Sequence, residues 1–285
     1  MAKRCLNLDG MFIPIPAPEI EYKLFKFNGG ELHIKLNNNI DYSKVDKVII
    51  TNRINSSDDV MKVLIAKEAL ERKGVKSFDL IMPYIPYARQ DRQCEDGESF
   101  TLKVFTNLIN SANFDNIIVL DAHSDVAPAL LNNCTNISNE QYIDMAFHHI
   151  AEYYDADITL ISPDSGANKK ANKLYENLQV FNNLIKCDKR RNTKTGKLNG
   201  FEVFANDLNG KTCLITDDIC DGGRTFIGIA EELKKKNAGK IYLFVTHGIF
   251  SNGFESLEKH FAGIFSTNSF SDIENDLLTQ FKIQL

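Results

Sequence analysis

The chain has 285 residues, a net charge of −5, and hydrophobic and charged fractions of 43% and 25%. These are ordinary globular values, enough for a large core and one to two domains at roughly 150 residues each. They exclude a nonspecific nucleic-acid binder, and no run approaches the roughly 18 apolar residues of a membrane span. Met1 to Pro18 carries Lys3 and Arg4 but no long apolar stretch, so no secretory leader is read and a cytoplasmic location is expected. Cys5, Cys94, Cys134, Cys187, Cys213 and Cys220 are scattered without Cys-x-x-Cys pairs, which predicts reduced thiols and no zinc site.

In chain order, Val45 to Thr51 reads as a buried strand, Asp58 to Lys73 as an amphipathic helix ended by Gly74, and Ser77 to Met82 as the next strand. Phe100 to Ala112 predicts a helix and Asn116 to Leu120 a third strand. The pattern restarts with a helix over Gln141 to Tyr154, a strand over Asp157 to Ile161 and a helix over Ala167 to Glu176. Strands follow at Leu184 to Cys187, Thr212 to Thr216 and Lys240 to Val245, with helices over Thr225 to Lys236 and Gly253 to His260. Alternating elements with β-branched strands imply an α/β fold of parallel sheets flanked by helices. The restart suggests two similar domains in tandem, residues 1–137 and 138–285.

In such sheets ligands bind at the carboxyl ends of the strands, and polar residues recur there. Pro83 to Arg92, read as held extended by two prolines, delivers Arg89, Gln90 and Arg92 together, suited to a polyphosphate and a purine edge; the alternative is a solvated loop. Asp121-Ala-His-Ser-Asp125 places His123 between carboxylates, able to ligand Mg²⁺ directly or through water, or to bind a phosphate. His33, His148, His149, His247 and His260 lack such company and read as structural. Ser162-Pro-Asp-Ser-Gly166 puts Asp164 at a small-residue turn that suits a ribose or anion contact, or simply a helix cap. Asp188-Lys-Arg-Arg191, followed by the polar stretch Asn192 to Gly200, looks like a cationic flap whose charges act after closure.

The most informative run is Cys213 to Thr225. Asp217 and Asp218 leave a strand end with carboxylates for ribose hydroxyls or a hard cation. Asp221, Gly222 and Gly223 let backbone N–H groups close on a phosphate, ahead of a helix whose positive end faces the same anion. An acidic turn capping an ordinary βα unit is the plain alternative.

Together these segments resemble the ribose-phosphate pyrophosphokinase (phosphoribosyl pyrophosphate synthetase) family, in that family's order. Tyr87 to Gln93 is similar to its ATP-binding motif, Asp121 to His123 to its metal-contacting strand end, and Ser162 to Gly166 to its ribose-proximal turn. Asp188 to Arg191 resembles the base of its catalytic flap and Asp217 to Thr225 its ribose-5-phosphate loop. Phe27-Asn-Gly-Gly-Glu31 resembles the loop that crosses a subunit interface to hold a neighbour's adenine.

The resemblance implies two phosphoribosyltransferase-like domains, a homo-oligomer (dimer or hexamer), and ATP with a ribose 5-phosphate compound as substrates. The implied reaction is transfer of the β,γ-diphosphoryl group of ATP to the anomeric hydroxyl of ribose 5-phosphate, giving phosphoribosyl pyrophosphate and AMP with Mg²⁺, or Mn²⁺ in its place. The implied roles are Lys189 and Arg191 as catalytic cations, and Phe27, Glu31, Arg89, Gln90 and Arg92 at ATP. His123 and Asp164 would serve the metal, and Asp217, Asp218, Asp221, Gly222, Gly223, Arg224 and Thr225 the ribose phosphate. Two positions depart from the family's form: Gly29 where an acidic residue is usual, and Gly222-Gly-Arg-Thr225 where the family has Thr-Ala-Gly-Thr. Arg224 motivates an alternative acceptor, ADP-ribose, whose product would feed NAD resynthesis. A catalytically silent nucleotide-binding regulator is a third reading, and the retained flap cations argue against it.

Overall fold

The computed structural model describes residues 2–153, 157–191 and 198–285; the side chains of 153, 190, 191, 198 and 199 are outside that description. The chain forms two compact units, Met1–Ser138 with Lys282–Leu285, and Asn139–Phe281.

The first unit is built on β1 (Lys3–Asn7), β4 (Lys47–Thr51), β5 (Phe78–Ile81), β6 (Asn116–Leu120) and β7 (Cys134–Ile137), all parallel in the order β1-β4-β5-β6-β7. A separate antiparallel hairpin, β2 (Tyr22–Lys26) and β3 (Leu32–Leu36), lies between β1 and β4 in sequence. The helices are α1 (Ser57–Arg72), α2 (Thr101–Ser111) and the short α3 (Val126–Leu130).

Local chemistry sets the ends of α1. The Asp59 N–H donates to the Ser56 hydroxyl, and Asp59 in turn accepts from the Ser56 hydroxyl and the Asn55 N–H, a reciprocal cap. At the other end Gly74 adopts φ +95, its N–H reaching the Glu71 carbonyl while Val75 N–H reaches Leu70, which closes the helix in a Schellman motif. Val48, Ile50, Leu80, Ile117 and Val119 from the sheet pack with Val63, Leu70, Leu102 and Phe105 from the helices.

The second unit contains α4 (Glu140–Tyr153), β8 (Ile158–Ser162), α5 (Asn168–Leu178), β9 (Asn183–Arg191), β10 (Leu198–Val203), β11 (Thr212–Cys220) and α6 (Arg224–Lys235). They are followed by β12 (Ile241–Gly248), β13 (Gly263–Thr267) and β14 (Leu278–Phe281). Its sheet runs β10-β9-β8-β11-β12-β13-β14, parallel throughout except for the β9–β10 pair. From β8 the chain builds outward to β9 on one side, then returns to lay β11 on the other. That reversal opens a crevice at the carboxyl ends of β8 and β11, the position where open α/β sheets bind ligands.

Three expectations are corrected here. Gly253 to His260 forms consecutive turns rather than a helix: Gly253 sits at φ +67, and Leu257 and Phe261 reach the core although the segment never becomes helical. Apolar spacing alone reported burial there, not helicity. Pro83 to Arg92 is not extended. It turns at Pro86–Arg89, with Tyr87 at φ 61 and hydrogen bonds from Ala88 N–H to Ile85 and from Gln90 N–H to Tyr87. Finally, β11 does not end before its acidic pair. It continues through Asp217 and Asp218, because β12 supplies a partner as far as Gly248.

Candidate active site

On the first unit, the Pro86–Arg89 turn decides which side chains project. Ile85, Ala88 and Asp91 are buried, one every third residue, and the neighbouring Arg89, Gln90 and Arg92 are exposed. Asp91 is the anchor. Its carboxylate accepts from Arg92 Nε at 2.9 Å and Nη2 at 3.2 Å, and from the Ser124 hydroxyl at 2.8 Å. The Arg92 bonds hold the Asp91 carboxyl below the usual carboxylate range, with help from Ser124 and the His123 imidazole. The segment after β5 and the turn after β6 are thus tied together, and Asp121 at φ 44 starts the latter turn.

Phe27 sits at the tip of the β2–β3 hairpin in an aromatic cluster, 5.1 Å from the Phe25 ring and 5.6 Å from His33. It is 54% exposed. Gly29 is accounted for by Glu31: a Cβ at position 29 would lie 2.6 Å from the Glu31 carboxylate. A side chain there would displace Glu31, so glycine at 29 and the folded-back Glu31 go together.

On the second unit, the crevice between β8 and β11 gathers a second set. Asp164 does two jobs with one carboxylate: Oδ1 accepts the Ala167 N–H at 3.1 Å, shaping the turn into α5, and Oδ2 accepts from Lys189 Nζ at 2.6 Å. Lys189 comes from β9, which continues through Asp188 to Arg191 and pairs with β10, Lys189 opposite Phe201. The cationic run is therefore the rising arm of a β-hairpin rather than the loop after a strand. The Phe201 ring lies over Gly228 in α6, where a Cβ would approach its edge to 2.3 Å, so glycine at 228 lets the hairpin seat on the helix. The Arg191 side chain, and the remainder of the flap at 192–197, lie outside the described residues.

Asp217 and Asp218 sit on successive positions near the carboxyl end of β11, their carboxyls close enough to interact. Asp218 is buried, and its N–H donates to Asp217 Oδ1 at 2.9 Å. Burial pushes the Asp217 carboxyl well above the usual carboxylate range; the Asp218 and Asp164 charges push it further the same way. Among the described residues, the cation paired at this crevice is Lys189, on Asp164.

The anion loop follows directly. Gly223 caps α6 at φ +76, with Arg224 and Thr225 the first two helical residues, whose N–H groups have no partner within the helix. The loop is strapped from behind by residues the sequence did not single out. Ser251 Oγ donates to Asp221 Oδ1 at 2.6 Å, Asn252 Nδ2 donates to the Gly222 carbonyl at 3.2 Å, and the Ile249 and Phe250 N–H groups both reach Cys220. Asn252 and Leu257 also crowd the space a side chain would take at Gly222 and Gly223. Asn168, at the start of α5, keeps a buried Oδ1 without a hydrogen-bond partner. His247, read as structural, is buried and joined to Ser269 Oγ at 2.7 Å.

Residues 15–112 match the model of the N-terminal domain of ribose phosphate pyrophosphokinase, and residues 193–271 match the phosphoribosyl synthetase-associated domain. The ribose-phosphate pyrophosphokinase of Mycoplasmopsis pulmonis is 33% identical over 203 residues, 71% of this chain and 62% of that protein. The chain belongs to the ribose-phosphate pyrophosphokinase family. The Mycoplasma genitalium pyrophosphokinase is 29% identical over 263 residues, covering 90% of this chain and 77% of its own. The crystal structure of phosphoribosylpyrophosphate synthetase from Mycobacterium smegmatis superposes with a TM-score of 0.82 at 23% identity, over 99% of this chain and 95% of that one. The parallel sheets and their flanking helices are thus the fold of a pyrophosphokinase.

Phe27, Glu31, Arg89, Gln90, Arg92 and His123 lie on the first unit, and Asp164, Lys189, Asp217, Asp218 and the Asp221–Thr225 loop on the second. Among the described residues no helix is long and apolar enough to cross a membrane. No three of their histidines, cysteines, aspartates or glutamates are grouped to hold a metal ion by themselves.

Proposed function

We propose that this protein moves the β,γ-diphosphoryl group of ATP to the anomeric hydroxyl of ribose 5-phosphate. The anomeric oxygen attacks the β-phosphorus, the α,β P–O bond breaks, AMP leaves with the bridging oxygen, and the hydroxyl proton passes to solvent. The observation that carries the reading is the convergence at the β8/β11 crevice of a flap lysine, the Asp217–Asp218 pair and a glycine-led helix start.

In this reading Asp217 and Asp218 hold the ribose hydroxyls, and the backbone from Asp221 to Thr225 holds the 5-phosphate. Lys189 exchanges Asp164 for the charge that builds on the transferred phosphates, with Arg191 beside it in sequence. Arg89, Gln90 and Arg92 bind the nucleotide, and Phe27 and Glu31 meet the adenine of a neighbouring copy in a homo-oligomer. Positioning and charge stabilisation are what such a transfer requires.

Mg²⁺, or Mn²⁺, would be held with substrate phosphates by Asp164 on the second unit, with His123 a candidate donor on the first, and would supply charge neutralisation on those phosphates. The donor type fits: this ion takes one or two carboxylates and fills the rest of its shell with phosphate oxygens and water.

A second acceptor is favoured by one residue. Arg224 stands exposed at the first position of α6, where its guanidinium would suit a 5-phosphate carrying a further phosphate, as in ADP-ribose. The deciding experiment incubates the protein with Mg-ATP and either ribose 5-phosphate or ADP-ribose, following AMP release and product mass. AMP with ribose 5-phosphate supports the leading proposal, AMP with ADP-ribose alone replaces its acceptor, and AMP with neither points to a silent regulator.

A further inference from the structure

A cavity of about 470 Å³ opens in the second unit where β8 and β9 begin, at the opposite end of the sheet from the crevice. Its floor carries an anomaly. Thr159 is fully buried, and its hydroxyl has no hydrogen-bond partner, in a setting where nearly every buried polar group is paired. Such a hydroxyl costs stability unless something enters to meet it.

The walls say what would fit. Leu184, Ile185 and Leu208 make an apolar side, and Phe204, directly after β10, is 59% exposed beside them. Asn183, Asn206 and Asn209 add carboxamides, which can both donate and accept. The one cation is already paired within the protein, Lys211 Nζ lying 3.0 Å from Asp157 Oδ2, while Asp207 stays anionic, its Oδ1 accepting from the Asn209 N–H at 2.8 Å and Asn237 Nδ2 at 3.1 Å. The lining thus offers an aromatic face, carboxamide donors and acceptors, and no unmatched positive charge to favour a phosphate. A cavity of this size accommodates a small molecule.

We infer that this cavity is a binding site for an uncharged nucleobase or nucleoside, its ring against Phe204 and its polar edge meeting Thr159 and the asparagine amides. The site does not depend on the proposed activity; only its effect on turnover rests on that reading. The cavity grips both arms of the hairpin at its base, since Phe204 N–H reaches the Lys186 carbonyl and Asn183 opens β9. Lys189 lies four residues beyond Ile185, about 13 Å along the strand. A bound nucleoside would brace the hairpin that carries it.

The chain contains no tryptophan, so Phe204→Trp installs a single reporter at the cavity. Titration with adenosine and with uridine, in the presence of a saturating non-hydrolysable ATP analogue to fill the nucleotide site, is expected to change its fluorescence with half-saturation below about 1 mM. Equilibrium dialysis of labelled adenosine against the unaltered protein, with the same analogue present, checks the result without the reporter. Thr159→Val, which keeps the shape and removes the hydroxyl, is expected to weaken binding about tenfold without lowering the thermal midpoint of the free protein. Absence of saturable binding of either nucleoside in dialysis, or affinity unchanged in Thr159→Val, overturns the inference. Neither result touches the AMP-release experiment.

Discussion

Replacing Lys189 by alanine removes one partner of the Lys189–Asp164 pair, whose ends are 2.6 Å apart with side chains 29% and 21% exposed. The cost to folding falls between the exposed and buried limits for ion pairs, about 1–2 kcal/mol, because water still reaches both groups. The cost to catalysis is larger if Lys189 meets the transferred phosphates: loss of one preorganised donor is worth about 3 kcal/mol, or roughly a hundredfold in kcat. These two effects separate in one set of measurements. Denaturant unfolding reads the first, and AMP release at saturating Mg-ATP and ribose 5-phosphate reads the second. Asp164→Asn supplies the comparison, since it frees the lysine in the resting state without removing it. Lys189→Ala with near-normal turnover refutes the assignment, and Asp164→Asn, which breaks the same pair from its other end, is expected to match Lys189→Ala in the unfolding measurement.

Three further outcomes follow from the geometry. Gly223→Ala places a Cβ at φ +76 and 3.0 Å from Leu257, so a loss of about 1–2 kcal/mol and a raised KM for the ribose phosphate are expected in unfolding and steady-state assays. Asp217 has its folded-state carboxyl raised, so the neutral form is favoured by folding. That contribution is whole below the ordinary value of 3.8 and is lost as pH rises through the folded value; Asp217→Asn should therefore unfold at a higher temperature than the parent at pH 8, with the gap closing toward pH 4. Burial pushes the Cys187, Cys213 and Cys220 thiols up to about 12, and Cys5 and Cys134 to about 11, while Cys94 is exposed. One fast-reacting thiol is expected in native labelling at pH 8, and six after unfolding.

Much of this molecule is written locally. Apolar runs bounded by caps marked Asn116–Leu120 as a strand to the residue, and α1, α2, α4 and α6 to within one or two residues at most ends, because helix caps and strand hydrophobicity depend on near neighbours. The residues that would carry the chemistry were also legible, since His123, Asp164, Lys189 and Asp217 each stand beside the carboxyl end of an apolar run. Other features needed the tertiary structure. The extension of β11 through Asp217 depends on β12, and the polar run Asp188 to Arg191 is a strand because β10 folds back on it. The strap formed by Ser251 and Asn252, the seat of Phe201 on Gly228 and the unpartnered Thr159 hydroxyl have no signature in the chain, because each is a contact between residues 27 or more apart or a property of the space they leave. The sequence by itself determined which side chains are available at the strand ends; only the order of strands, with its reversal between β8 and β11, decided that Asp164, Lys189 and the acidic pair share one crevice.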